Sequence, residues 1–281
     1  MRARIWGCRG SLATPGHNTL RYGGNTSCVE VRLKDGTLIV LDAGTGIRSL
    51  GLALAPDPPE AIHLLLTHLH LDHIEGLGFF LPLWRPDVEL HIWGPPSSVM
   101  SLRERLARYL SPPLFPLDLA EASPPPHFHD VPDEEWTIGS ARITALPVAH
   151  PGPTVGYLLS EDARSLAYVP DHEPGLGKDL LDVSPDWISG FGLTRDVDVL
   201  LHDSQYTEKE YPRRMGWGHS SVADAVALAA VSQVGQLVMF HHDPSHDDSY
   251  LEDMATRAKQ LWEGNGDAPV LAREGMDIDL S

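Results

Sequence analysis

The stretch HLLLTHLHLDHIEG, from His63 to Gly76, joins an apolar run to a dense group of metal-binding residue types. The run within residues 61–67 is mostly apolar, which is typical of a strand buried on both faces. Three imidazoles and one carboxylate then follow within six positions, namely His68, His70, Asp72 and His73. Residues two apart in an extended segment point to the same side, so the first two imidazoles are expected to face one way at the strand end.

Imidazole and carboxylate groups in this spacing are ligands suited to zinc, and also to iron or manganese. A single histidine after a strand is more often a cap or a surface residue. Four ligand-type residues together, directly after a buried strand, favour a metal site instead. The stretch therefore predicts a metal centre at one end of a sheet.

The composition is that of an ordinary globular chain. Its 281 residues are enough for one large α/β domain or two small ones, and 42% of them are hydrophobic and 21% charged. No apolar run reaches the length of a membrane span, and the first residues show no apolar signal segment. With only Cys8 and Cys28 as thiols, a reduced cytoplasmic protein is the simplest expectation, and a disulfide between them stays open.

The net charge of −18 restricts the partners that the chain can bind. Wrapping by a large nucleic acid is not expected, because it needs many cationic contacts with phosphates. A small anionic substrate remains compatible, because bound metal ions can be the largest local charges in a site. No membrane partner is expected.

Short strand patterns dominate the first half of the chain, and strands alternate with helices in the second half. Helical spacing appears over residues 97–110, 220–234 and 248–264. A proline-rich stretch, Ser111 to Pro132, is expected to be a surface loop with His127 and His129 exposed on it. One two-sheet sandwich with outer helices fits this order better than a doubly wound sheet. Nothing resembles a linker, so residues 1–281 are expected to form a single domain.

The segment from His68 to His73 resembles the HxHxDH motif of the metallo-β-lactamase superfamily. Four further strand ends match the remaining motifs of that family in order, at Asp42, His150, Asp171 and His241. The resemblance covers nearly the whole chain and implies an α/β fold, the αββα four-layer sandwich of the family. His70 stands where the oxygen reductases of the superfamily carry glutamate, which favours hydrolysis over redox chemistry.

The resemblance also implies a centre of two divalent metal ions, with zinc expected and manganese or iron as alternatives. One ion would be held by His68, His70 and His150. The other would be held by Asp72, His73 and His241, with Asp171 bridging the two ions and Asp42 supporting the ligands from behind. His242 is adjacent to His241, and only one of the two can point inward. His241 is favoured because it ends the apolar run.

Two later segments resemble those of the tRNA 3′-processing nucleases commonly called RNase Z. HDSQ, from His202 to Gln205, stands at their His-Glu-Ala-Thr segment, and GHSS, from Gly218 to Ser221, stands at the histidine that opens the next helix. His219 is then implied as the general acid that protonates the leaving oxygen. Asp203 would hold the tautomer of this imidazole and raise its pKa. Asp72 is expected to act in catalysis as well as in metal binding.

Together these residues predict a metal-dependent hydrolase with two metal ions, above all a phosphodiesterase acting on a small or cyclic phosphodiester. A hydroxide bridging the ions would attack the phosphorus. The same fold serves several chemistries, so three alternatives stay open: an RNase Z-like RNA endonuclease, an acyl hydrolase of lactones or thioesters, and a non-catalytic ligand sensor. A homodimer is an expectation from the resembling phosphodiesterases.

Overall fold

The structure, a computed structural model, describes residues 1–281. Its strands are β1 Arg2–Gly7, β2 Cys28–Arg32, β3 Leu38–Leu41, β4 Ala61–Leu65, β5 Glu89–Gly94, β6 His127–Asp130, β7 Trp136–Ile138, β8 Ala141–Pro147, β9 Val155–Glu161, β10 Arg164–Val169, β11 Val199–Asp203, β12 Gln236–Phe240, β13 Asp267–Leu271 and β14 Asp277–Asp279. Its α-helices are α1 Gly46–Leu54, α2 Leu71–Ile74, α3 Leu102–Ala107, α4 Phe191–Thr194, α5 Val222–Val231 and α6 Asp248–Leu261.

The strands form two mixed sheets of seven strands each. The first sheet has the order β14-β1-β2-β3-β4-β5-β6, and the second has the order β13-β12-β11-β10-β9-β8-β7. The strands from β3 to β6 are parallel, and so are those from β10 to β13. Because parallel strands end at the same edge, the loops after β4, β10, β11 and β12 gather at one end of the sandwich, where such folds bind ligands.

Three large hydrophobic cores separate four layers. The central core lies between the sheets and includes Ile5 from one sheet and Leu159 from the other. A second core packs α1 and α3 onto the outer face of the first sheet, with Ile47 and Leu106 among its residues. A third core packs α5 and α6 onto the outer face of the second sheet. The αββα sandwich predicted from the sequence is therefore confirmed.

Two local predictions differ from the structure. Helix α3 begins only at Leu102, because Ser101 forms a reciprocal capping box with Glu104 and so fixes the helix start. The proline-rich stretch contains the edge strand β6, which pairs in parallel with β5. His129 therefore lies on a sheet and not in a loop, and its ring stacks on Trp93 with centroids 4.1 Å apart.

The two cysteines are free thiols, and both are buried. Cys8 belongs to the core between the sheets, and Cys28 belongs to the core beneath the helices of the first sheet. The disulfide that the sequence left open is thus not formed. Within residues 1–281 no helix combines the length and the apolar character that crossing a bilayer requires.

Candidate metal centre

The seven predicted ligands lie at strand ends of both sheets. Those of the first motif follow β4, and Asp72 and His73 stand on the short helix α2. His150, Asp171 and His241 follow β8, β10 and β12. His241 has a φ of 60°, a left-handed conformation that few non-glycine residues adopt, at the point where the chain leaves its strand.

The ligand atoms come together in two groups, within each of which they lie no more than 4.8 Å apart. The first group contains His68, His70 and His150, and the second contains Asp72, His73, Asp171 and His241. The Asp171 carboxylate lies between them, 3.0 Å from Nε2 of His73 and 3.9 Å from Nε2 of His68. Nε2 of His150 is also 3.9 Å from this carboxylate. The division has the same members as the two ligand sets that the resemblance implies.

The residues present fit a bound divalent metal. Three buried atoms of the cluster make no hydrogen bond of good geometry, namely Nε2 of His68, Nε2 of His73 and Oδ2 of Asp171, although the last two lie 3.0 Å apart. Buried polar atoms without partners are costly, so several of them facing one another point to an ion that completes them. Imidazole and carboxylate donors suit zinc, with iron and manganese next.

Hydrogen bonds from the surrounding protein fix two of the imidazoles. Nδ1 of His73 donates to Asp42 over 2.8 Å, and Nδ1 of His150 donates to the backbone carbonyl of Gly218 over 2.8 Å. Each ring therefore keeps Nε2 for a metal ion. Such outer contacts orient metal-binding histidines and raise their basicity.

Asp42 joins this support to both sheets. Its buried carboxylate accepts hydrogen bonds from the backbone N–H and the hydroxyl of Thr67, and from the hydroxyl of Tyr168 over 3.0 Å. Thr67 follows β4 in the first sheet, while Tyr168 lies on β10 in the second. Asp42 itself has a φ of 59°, which an aspartate tolerates better than most residues do. The acid expected behind the ligands thus contacts one ligand and both sheets.

The charges of the cluster are strongly coupled. Burial alone would raise the pKa of Asp171, but the imidazoles of His241, His73 and His68 around it hold that pKa well below its usual range. Burial would likewise lower the pKa of His73, yet the carboxylates of Asp171 and Asp72 raise it well above its ordinary value. The acids therefore remain ionised and favour cations at this place.

Only one of the two adjacent histidines faces the cluster. Nε2 of His241 lies 3.2 Å from Asp72 and 3.3 Å from Asp171. Nε2 of His242 instead donates to the backbone carbonyl of Ala272 over 2.9 Å. The structure therefore brings His241, and not His242, to the cluster.

His219 and Asp203 form a close pair beside the cluster. Nδ1 of His219 lies 2.7 Å from the Asp203 carboxylate, and no residue of the protein bonds its Nε2. The His219 ring stacks on His241 with centroids 5.0 Å apart, and 12% of its side chain is exposed. Burial would lower the pKa of His219, but the charge and hydrogen bond of Asp203 raise it to about 9. The imidazole is therefore favoured in its protonated form beside the ligand cluster.

Sequence reasoning missed two residues that hold ligands in place. The backbone N–H of Ser11 donates to the Asp72 carboxylate over 2.7 Å, and Ser11 has a φ of 61°. The side chain of Gln205 reaches Ser11 with its amide nitrogen and lies 3.3 Å from Nδ1 of His241 with its oxygen. Only the position of Gln205 in the HDSQ segment gives any signal in the sequence. The contact of Ser11 arises from packing of the N-terminal loop.

A third missed residue, Glu173, fixes the loop that carries His219. Its buried carboxylate accepts the backbone N–H groups of Gly216 and Gly218 over 2.9 Å each. It also accepts the hydroxyl of Tyr211 over 2.8 Å. Glu173 thereby holds the same loop whose carbonyl orients His150.

Aromatic and basic side chains lie near His219. The ring of Tyr206 lies edge-on to His219, with centroids 5.9 Å apart. The guanidinium of Arg214 lies over the buried Tyr206 ring at 4.8 Å, and Trp217, whose backbone N–H donates to the Arg214 carbonyl, is 60% exposed. The segment that leads to His219 therefore carries a guanidinium and an exposed aromatic ring.

Comparison with known proteins places the chain in a family. The model of the β-lactamase superfamily domain family matches residues 37–242 of this chain. An uncharacterized protein of Mycobacterium tuberculosis, Rv1339, is 29% identical over 273 residues, which are 94% of this chain and 88% of that protein. A ribonuclease Z of Kineococcus radiotolerans is 28% identical over 260 residues, which are 80% of each chain.

Solved structures give the same fold. The Zn²⁺-bound PqqB of Methylobacterium extorquens superposes with a TM-score of 0.72 at 18% identity, over the full length of both chains. The residues that match the family, 37–242, include both the motif from His68 to His73 and His241. The chain belongs to the metallo-β-lactamase superfamily, which confirms the family indicated by the sequence.

Proposed function

We propose that the protein is a hydrolase with two divalent metal ions, zinc in the first place, that cleaves a small or cyclic phosphodiester. The observation that most supports this proposal is the His219–Asp203 pair, which presents a proton donor beside both ligand groups. His68, His70 and His150 would hold one ion, and Asp72, His73 and His241 the other, with Asp171 shared. When bound, such ions supply Lewis acidity and an activated water.

The remaining roles belong to side chains of the chain itself. Nε2 of His219 gives a proton to the leaving oxygen, and Asp203 fixes the Nδ1–H tautomer and favours the charged ring. Asp72 takes part through its place in the second ligand group, where the N–H of Ser11 orients its carboxylate. This division of roles fits a reaction in which a poor leaving group must be protonated.

The charge of the molecule favours a small substrate. With a net charge of −18, the surface repels a long polyanion, whereas Arg214, over the Tyr206 ring next to His219, supplies one local cation. The similar ribonuclease Z supports phosphodiester chemistry in preference to acyl hydrolysis. A small diester therefore suits the site better than a structured RNA does.

The test compares two diesters whose leaving groups differ in their need for a proton. Bis-p-nitrophenyl phosphate releases a stable phenolate, whereas a cyclic nucleotide releases an alkoxide. We expect His219→Ala to lower kcat on the cyclic nucleotide by about 100-fold or more, the usual range for a general acid, and to change kcat on the aryl diester far less. Asp203→Asn should follow the same pattern more weakly.

Metal content is measured on the same samples, and the exposed His17→Ala variant serves as the histidine control. Retained metal with a loss that depends on the leaving group supports the proposal. An equal loss on both substrates would remove the general-acid role of His219. Two bound metals without turnover of any diester would instead direct attention to acyl substrates or to ligand sensing.

A further inference from the structure

A cavity of about 300 Å³ opens beside the His68–His70 side of the metal centre. Its lining includes His68, His70, Ser97, Arg105 and Pro151. One wall follows β5 in the first sheet and the other follows β8 in the second sheet. The cavity is thus continuous with two candidate ligands, and its volume lies at the lower end of small-molecule pockets (roughly 300–1,000 Å³).

Arg105 is the one lysine or arginine in this lining. It stands on α3, and 15% of its side chain is exposed. Its Nη2 donates to the backbone carbonyl of Pro95 over 2.7 Å, which fixes the guanidinium against the loop after β5. Its Nε is buried and has no hydrogen-bond partner. The guanidinium thus donates one hydrogen bond within the protein and keeps its other donors unused.

The protein itself does not neutralise this cation closely. The nearest carboxylate is that of Asp130, 3.9 Å from Nη2, and the Asp130 side chain is 54% exposed. Arg103 on the same helix is exposed and absent from the cavity lining. The chain has a net charge of −18, yet it holds a fixed and mostly buried arginine beside the candidate metal ligands. Such an arginine is suited to bind a negatively charged group.

We infer that this cavity is a substrate subsite and that Arg105 binds a second acidic group, a phosphate or carboxylate carried by one substituent of the diester. The inference rests on the proposed function, because the scissile phosphate would lie at the two ligand groups. The cavity begins at His68 and His70, so it receives the substituent next to that phosphate. Ser97 adds a hydroxyl to the same lining.

A matched pair of chromogenic diesters tests the subsite. Thymidine 5′-(p-nitrophenyl phosphate) has one negative charge, and its 3′-phosphorylated form carries a second phosphate on the same nucleoside. We expect the native protein to prefer the 3′-phosphorylated form. Arg105→Gln should raise KM for that form by about tenfold or more, as for loss of a charged hydrogen bond, and leave KM for the other form within about twofold. Arg105→Lys should recover part of the loss, and Arg103→Gln should have no effect.

Calorimetric binding of thymidine 3′,5′-bisphosphate and of thymidine 5′-phosphate to the same variants gives a readout apart from turnover. Loss of the preference for the bisphosphate in Arg105→Gln supports the subsite even if neither diester is hydrolysed, in which case only the proposed reaction fails. Equal weakening of both ligands, or no preference in the native protein, would overturn the assignment. Thermal unfolding of each variant shows whether loss of the Pro95 contact has disturbed the fold.

Discussion

At the scale of single residues, the Asp42 carboxylate has the widest influence on the metal centre. It fixes the His73 imidazole and at the same time accepts hydrogen bonds from Thr67 and Tyr168. An amide in its place would present an N–H₂ group to donors that need an acceptor.

We therefore expect Asp42→Asn to weaken metal binding at the Asp72–His73–His241 group by about 10- to 100-fold, the usual cost of losing such an outer contact. Competition with a chromophoric chelator measures this affinity directly. Tyr168→Phe is the matched control, because it removes one hydrogen bond to Asp42 and keeps the carboxylate. Equal affinities in Asp42→Asn and the native protein would show that His73 is oriented by other contacts.

The sequence predicted those residues whose signal is local. The residues from His68 to His73 follow one strand, and their close spacing is typical of a metal-binding motif. This motif can therefore be identified from the sequence without knowledge of the fold. Asp171 is a single aspartate after a strand, and only the resemblance to a family singles it out. Ser11, Glu173 and Arg105 depend on contacts between distant segments, and Glu173 lies 43 residues from Gly216. No spacing within the chain encodes such contacts, so they come only from the packed structure.

At the scale of elements, the loop from Gly216 to Gly218 connects His219, the proposed general acid, with His150, a proposed metal ligand. Glu173 holds its backbone N–H groups, and the Gly218 carbonyl holds His150. Gly218 has a φ of 86°, and a Cβ there would lie 2.4 Å from the His150 ring, so the loop can approach the ligand only with glycine at this position.

Glu173→Gln should loosen this loop, because an N–H₂ group would face backbone donors in a buried place. We expect the free energy of unfolding to fall by about 1–3 kcal/mol, the cost of leaving buried donors unsatisfied. Proteolysis should also become faster near Gly216. Glu134→Gln, at an exposed position, is the control. Unchanged stability and unchanged proteolysis would show that the loop is held without Glu173.

A second element, the edge formed by β4, β5 and β6, carries a row of imidazoles. His63 stacks on His91 with centroids 4.7 Å apart, and His91 stacks on His127 at 4.9 Å. Burial, and then repulsion from His91 and His129, lowers the pKa of His63 to about 4. Folding therefore disfavours the protonated form of His63.

The lowered pKa of His63 predicts that acid destabilises the sheet edge formed by β4, β5 and β6. The unfolded chain binds a proton on His63 near pH 6.5, whereas the folded chain binds it only near pH 4. The contribution of neutral His63 to stability is therefore complete above pH 6.5. It is lost as the pH falls from 6.5 towards 4, because only the unfolded chain binds the proton in this range. In His63→Leu the Tm should fall less over this range than in the native protein. Parallel Tm curves for the two proteins would contradict the prediction, and the difference between them cancels any common effect of metal loss.

At the scale of the whole molecule, the metal centre joins the two sheets. The ligands after β4 belong to one sheet, and those after β8, β10 and β12 belong to the other. A bound ion would therefore connect the two halves of the sandwich, and an empty cluster would leave several buried polar atoms without partners.

Removal of metal should accordingly lower the stability of the whole domain. Zinc at 100 times its Kd stabilises a protein by about 2.7 kcal/mol, which corresponds to a rise in Tm of roughly 5 °C or more for a chain of this size. Scanning calorimetry after chelation and again after zinc addition measures the change. The His73→Ala variant should show a smaller response to zinc. A Tm that does not respond to chelation or to zinc would mean that the cluster binds no metal.

The order of the candidate ligands along the chain determines when each of them becomes available during protein synthesis. The first motif is complete at His73, but His150, Asp171 and His241 are made only as the remaining strands emerge. A nascent chain that has not yet reached His241 can offer one group of imidazoles but not the second complete group. If the cluster binds two ions as proposed, its loading would be completed only after most of the protein has left the ribosome.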